Sequence, residues 1–286
     1  MNVSSRRSPS DAIVLQEYEQ LATYLQSFAR GDFDLLLIIG RSGTGKSEAV
    51  KSTLGLSGSS KRASQHSSVL YVEGHMGSFG LYRQLYAHRD QPVVIDDFDR
   101  LHTRVDCVRL LKPLCNGAPV KRITWFSNAT VHSSDLPESF TTKSRVVLIT
   151  NDWRSLNEDV RALEDRAIII DFAPSNATVH RYVGEWFEDR EVYDLIGQVV
   201  ETAPLLSMRH YIKGRSLRRA GLADWRQTVL QMVLGDPVLS AVARLQTVAC
   251  DGESDRVERF TSMTGRSRAT YFRMKKKLVL RSEKYD

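Results

Sequence analysis

The stretch Leu35-Leu36-Leu37-Ile38-Ile39-Gly40-Arg41-Ser42-Gly43-Thr44-Gly45-Lys46-Ser47 decides how this chain of 286 residues folds. Its first half is a short, uninterrupted apolar run, the pattern of a strand covered on both faces in a parallel sheet. From Gly40 on it matches G-x-x-x-x-G-K-[ST], and the spacing has a chemical reason. Gly40, Gly43 and Gly45 let the backbone around Arg41, Ser42 and Thr44 turn its N–H groups inward on a polyphosphate. Lys46 then reaches the β- and γ-phosphates, and the Ser47 hydroxyl holds Mg2+. A helix beginning near Lys46 adds the positive end of its dipole.

Further apolar runs follow at residues 69–72, 92–97, 145–150 and 167–172. Separated by helical patterns, these five strands predict an α/β fold: a five-stranded parallel core sheet with helices on both faces. The run Pro92-Val93-Val94-Ile95-Asp96-Asp97 ends in two acids. Beside the first strand, Asp96 falls near the Ser47-bound Mg2+, and Asp97 can orient or deprotonate a water. Such a pair can also simply cap a turn. The run at 145–150 ends at Asn151, whose side chain can hydrogen-bond an attacking water or merely start the next turn. Residues 120–126 are strand-like, and 127–143 read as a polar loop.

Before the loop, Val14, Tyr18, Leu21, Leu25 and Phe28 recur at helical spacing, with Ser10-Asp11 available as a cap. Residues 101–116 and 156–164 are helical in pattern. From Asn176 the chain reads all-helical, over about 176–188, 190–202, 207–220, 223–234 and 237–249. The expected divisions are therefore an N-terminal tail and helix at 1–30, a nucleotide-binding core at 31–174, a helical lid at 175–250 and a separate basic segment at 251–286.

Composition narrows the function classes. Apolar residues make up 42% of the chain, enough for a core. No apolar run reaches the length of a membrane span, and residues 1–10 lack the apolar segment of a secretory signal, so a cytoplasmic protein with no membrane partner is expected. Three cysteines fit reduced core thiols, and scattered histidines supply no metal ligands. The net charge of +6 is uneven: residues 204–286 hold 17 Lys/Arg against 8 Asp/Glu. That asymmetry points to an anionic partner at this end, with nucleic acid the first candidate.

With the loop, Asp96-Asp97, Asn151 and Arg166 in this order, the sequence resembles the AAA+ ATPases over about residues 30–250. The resemblance implies a core followed by a small helical lid, ATP and Mg2+ as ligands, and ATP hydrolysis. It makes Gly40 to Ser47 the Walker A motif, residues 93–97 Walker B and Asn151 the sensor-1 residue. In Ala162-Leu163-Glu164-Asp165-Arg166 the arginine looks like the family's finger, which reaches a neighbouring subunit's ATP; read alone, Arg166 could instead pair with Asp165 or Glu164. Arg209, opening a lid helix in Ser207-Met208-Arg209, looks like sensor 2, with Arg215, Arg218 and Arg219 as rivals. Asp-Asp in Walker B is similar to the replication-initiator, helicase-loader and transposition-helper branch. Its shorter second acid suggests slow hydrolysis that serves as a switch.

Residues 255–263 and 268–281 read as two helices joined by Thr264-Gly265-Arg266, with Ser267 as cap. This is a helix-turn-helix pattern, and it resembles the turn and recognition helix of bacterial helix-turn-helix proteins. Arg266, Arg268, Thr270 and Arg273 are the candidates for base edges or phosphates, and Lys275, Lys276 and Lys277 for the DNA backbone. A basic helix that packs on a partner or lies on a membrane surface is the alternative. The combined expectation is an ATPase that forms a homo-oligomer on DNA in its ATP state, working with a replication or transposition protein. An ATP-dependent transcriptional regulator and a protein-remodelling ATPase are the rivals.

Overall fold

The computed structural model describes residues 9, 11–56, 69–74, 76–96, 103–125, 136–154 and 156–278. The chain divides into two compact units, Met1–Ala173 and Pro174–Asp286. In the first unit the order is β1 (Ile13–Leu15), α1 (Tyr18–Arg30), β2 (Leu35–Gly40), α2 (Lys46–Thr53), β3 (Leu70–Glu73), α3 (Ser78–Ala87) and β4 (Val93–Asp96). Then follow α4 (Val105–Leu111), β5 (Lys121–Thr124), β6 (Ser139–Thr142), β7 (Val146–Thr150), α5 (Glu158–Glu164) and β8 (Ile168–Phe172).

Six of these strands form one parallel sheet in the order β1-β8-β2-β7-β4-β3. Every residue of β2 is buried, and Ile38 aligns with Ile170 on one side and Ile149 on the other. From β2 the chain jumps to the far edge at β3, returns through β4 to β7, and crosses to the other flank of β2 at β8. The strand order therefore reverses at β2. Open α/β sheets bind ligands beyond the carboxyl ends of their strands at such a point.

The fold class is the α/β one expected, but the sheet has six strands rather than five. Ile13, Val14 and Leu15 pair with Ile170, Asp171 and Phe172 as an edge strand instead of opening the first helix. Two β-branched residues in a row favour extended backbone. The helix starts later because the Glu17 N–H donates to the Gln20 side chain at 3.3 Å, the reach-back bond of a capping box. Val14, expected on the buried helical face, is 60% exposed, while Tyr18, Leu21, Leu25 and Phe28 are buried.

Two further differences lie between β4 and β7. Residues 121–124 pair antiparallel with 139–142, so part of the stretch expected to be loop is strand β6 in a separate hairpin. Its single large apolar residue, Phe140, is too little alternation to signal a strand, yet it packs on Tyr82 and Tyr86 at 5.3 and 5.4 Å. Lys121, 2% exposed, ties the hairpin to the residue preceding β2 by bonding Asp34 at 2.6 Å and the Ser144 carbonyl at 2.9 Å. The helix expected over 101–116 is shorter as well. It gives way to a 3-10 turn at Lys112–Cys115, because Pro113 has no N–H for the helical ladder; residues 101–102 lie outside the described residues.

The second unit is helical: α6 (Asn176–Gly184), α7 (Arg190–Gly197), α8 (Met208–Arg219), α9 (Trp225–Leu234), α10 (Pro237–Thr247), α11 (Glu253–Thr264) and α12 (Arg268–Lys277). Side-chain caps start several of them: Ser175 for α6, Asp189 for α7, Ser207 for α8, Asp236 for α10 and Ser267 for α12. No helix among the described residues is long and apolar enough to cross a membrane. Cys107 and Cys115 are buried free thiols, with burial pushing the latter up to about 12, whereas Cys250 is only partly buried.

Candidate nucleotide site and basic helical unit

The residues singled out by the motif converge at the carboxyl ends of β2, β4 and β7. Gly43 and Gly45 both have φ near +80°, a left-handed backbone that side chains resist, so the loop can turn successive N–H groups to one side. Gly45 is also the N-cap of α2, with no side-chain cap bond at that helix end. A Cβ on Gly40 would lie 2.6 Å from Lys46 Cδ and 2.9 Å from the Phe172 carbonyl oxygen. The lysine stem thus crosses bare backbone, which no other residue type leaves open.

Lys46 is 6% exposed, and its ammonium is satisfied by hydrogen bonds. Its Nζ donates to the Gly40 carbonyl at 2.6 Å, the Arg41 carbonyl at 3.0 Å and Asn151 Oδ1 at 3.0 Å. Asn151, one residue beyond β7, is therefore joined to the loop lysine across the sheet. It also lies in a bend held by Thr150 Oγ1, which donates to the Asp152 carbonyl at 2.7 Å. The water-binding and turn-starting readings of this residue are compatible. Thr44 is fully buried and its hydroxyl donates to the Arg41 carbonyl at 2.9 Å, closing the loop on itself.

Asp96 ends β4 and is 3% exposed. Its Oδ2 accepts the Tyr71 phenol, and the Ser47 side chain lies beside the same phenol. Carboxylate and hydroxyl oxygens are donors of the kind Mg2+ prefers. With the glycine cradle, Lys46 and the α2 terminus, the residues present fit a magnesium-bound nucleotide. Asp97 lies outside the described residues.

Two residues of this site carry no sequence motif. Tyr18 reads locally as one more apolar residue of α1, but its hydroxyl donates to the Thr44 carbonyl at 2.6 Å and braces the loop from outside. Tyr71 reads as a strand residue; its only local signal is a hydroxyl in the otherwise aliphatic run Val69-Leu70-Tyr71-Val72. Removing the brace with Tyr18→Phe is expected to weaken nucleotide binding about fivefold, from the loss of about 1 kcal/mol of hydrogen bonding. Calorimetric titration with ADP checks this, and an unchanged affinity contradicts it.

The two arginine candidates sit in different units. Arg166 is exposed between α5 and β8, and its guanidinium bonds the Ala162 carbonyl. Glu164, one of the two suggested ion-pair partners with Asp165, accepts the Trp153 indole N–H at 2.6 Å. Arg209 is exposed in the first turn of α8. Of its rivals, Arg218 pairs with Asp189 and Glu191, and Arg215 lies over the Phe187 ring at 5.5 Å.

At the chain's basic end, α11 and α12 meet at Gly265 (φ +65°), and the Ser267 hydroxyl accepts the Thr270 N–H at 3.4 Å. The two helices do not stand alone. Val257, Phe260 and Tyr271 are buried against Ala241, Val242 and Leu245 of α10, giving a three-helix unit with its own core. Arg266, Arg268, Arg273, Lys276 and Lys277 are exposed, with Arg268 over the Phe272 ring at 5.3 Å. Thr270 and Lys275 are partly buried instead. The Thr270 hydroxyl meets Ser267, and Lys275 Nζ bonds Glu253 at 2.7 Å, which holds the Glu253 carboxyl below the usual carboxylate range. Lys275 thus clips α12 to α11. The part of α12 expected beyond residue 278 lies outside the described residues.

No protein-family model matches the chain, and no curated protein matches it in sequence. Among solved structures it is similar to the ADP form of the Aeropyrum pernix ORC2 protein, at 14% identity and TM-score 0.45, covering 96% of this chain and 87% of that one. It is also similar to Drosophila ORC bound to DNA, at 14% identity and TM-score 0.42 with 97% and 85% covered, and to C. elegans PCH-2, at 15% and 0.38 with 76% and 66% covered. In motif order and in its parallel α/β sheet, the chain resembles the AAA+ ATPases.

Proposed function

We propose that this chain is an ATP-binding and slowly hydrolysing protein whose nucleotide state governs assembly on DNA, in replication initiation, helicase loading or transposition of a mobile element. The observation that carries the reading is the meeting of Lys46, Asn151 and the Gly40 to Ser47 loop at the strand-order reversal, with Asp96 bonded to Tyr71 beside Ser47. Bound MgATP would supply the transferable phosphoryl group and the cation that offsets its charge. The loop's N–H groups and Lys46 hold the phosphates, and Ser47 and Asp96 hold the cation. Asn151 Oδ1 orients the attacking water, and Asp97 accepts a proton from it at its carboxylate. The AAA+ resemblance gives Arg209 the sensor-2 role.

Arg166 acts in trans, from one copy to the nucleotide of the next. Its exposure next to α5 supports this reading, and an arginine supplied across an interface can accelerate phosphoryl transfer 10³-fold or more. Arg266, Arg268, Arg273, Lys276 and Lys277 contact DNA, with Thr270 and Lys275 fixing the helix that presents them. Hydrolysis per subunit is therefore expected to rise with protein concentration and with duplex DNA. Arg166→Ala is expected to keep ADP affinity but to lose that rise, a fall of at least about 100-fold at high concentration. Turnover that is independent of concentration, and equal in Arg166→Ala, contradicts assembly-dependent catalysis.

A further inference from the structure

Tyr71 occupies an unusual position for a strand residue. β3 pairs with β4 so that Tyr71 lies opposite Val94 and Glu73 opposite Asp96. From there the phenol reaches Asp96 Oδ2, beside Ser47, the other residue that the proposed function gives to Mg2+. The ring is held in place from the side by Lys51, whose Nζ lies 4.8 Å from its centroid while also approaching Glu48 and Glu73 at 3.9 Å. The phenol donates to the Asp96 carboxylate and so fixes one of its two oxygens.

We infer that Tyr71 is a positioning residue for the magnesium pocket, orienting the Asp96 carboxylate so that its remaining lone pairs face the cation. A carboxylate held at one oxygen presents the other. Groups outside the direct ligands contribute in this way about 10- to 100-fold in metal affinity. Tyr71 itself touches neither nucleotide nor metal. The inference rests on the nucleotide reading above and goes beyond its motif residues.

The test is binding of a fluorescent ADP analogue to the full chain in EDTA and in increasing MgCl2, which needs no turnover. Tyr71→Phe keeps the ring over Lys51 and removes only the hydroxyl. In EDTA it is expected to bind like the parent chain within about twofold, which also reports a folded loop; with MgCl2 the tightening seen in the parent is expected to shrink about tenfold. Val72→Ala, which thins the packing of β3 without touching the phenol, is expected to keep the full tightening. Equal tightening in Tyr71→Phe and the parent overturns the inference, as does stronger tightening in Tyr71→Phe or a loss in Val72→Ala as large as in Tyr71→Phe. Failure of the parent chain to bind the analogue in either buffer is a different result, and it overturns the nucleotide reading together with this one.

Discussion

Replacing Lys46 with alanine is expected to weaken nucleotide binding by at least about 100-fold while leaving the chain folded. A hydrogen bond to a charged group contributes about 1.5–3 kcal/mol, so losing two to a phosphate gives about two decades or more in Kd. The ammonium bonds the Gly40 and Arg41 carbonyls and Asn151 Oδ1, so its charge is already buried and hydrogen-bonded beside the loop. Because Gly40 and Arg41 offer carbonyls on the loop itself, the truncated site can admit water to them. Lys46→Met, which keeps the apolar stem across Gly40, separates charge from packing and is expected to match the alanine variant in affinity. Calorimetry with ADP and ATP checks both variants; a methionine variant that binds within tenfold of the parent contradicts a phosphate role for the ammonium.

The second large effect is expected at Phe260→Ala. Phe260 is fully buried at the centre of the three-helix unit and meets the Tyr271 ring edge-on at 5.3 Å. Truncating a buried phenylalanine costs about 3–5 kcal/mol, and this small cluster has few other large side chains to absorb the cavity. The clip between Lys275 and Glu253 and the bond from Gln246 to the Tyr271 hydroxyl do not replace that packing. Loss of α11 and α12 as an ordered pair is expected, with DNA affinity falling at least about tenfold at fixed salt and nucleotide affinity unchanged. If Phe260→Ala unfolds these helices, seen as lost helical circular dichroism, and DNA binding persists, another surface contacts DNA.

The loop and its partners were legible because their spacing is itself chemistry. A glycine cradle needs glycines at set intervals, and a buried strand that ends in Asp96 or Asn151 delivers a polar group to the sheet's binding edge whichever neighbours it pairs with. Tyr71 was not legible for the converse reason. Its role depends on β3 lying next to β4, and strand order is decided by long-range packing rather than by local pattern. The first strand was misread because Val14 and Tyr18 happen to be four residues apart, so a helical period runs through a segment that pairs with β8 instead. Residues 139–142 carry one large apolar side chain and no alternation long enough to register. The contribution of α10 to the basic unit was not legible because α10 packs on α9 as well, and sequence period alone does not divide a helix between two neighbours.

Sizing the full chain in solution, with and without a non-hydrolysable ATP analogue and with and without duplex DNA, tests most directly whether the loop governs assembly. A larger species that forms with the analogue, is stabilised by DNA and is absent for Lys46→Ala is the expected result. A chain that keeps one size under all four conditions, while binding the analogue, contradicts it.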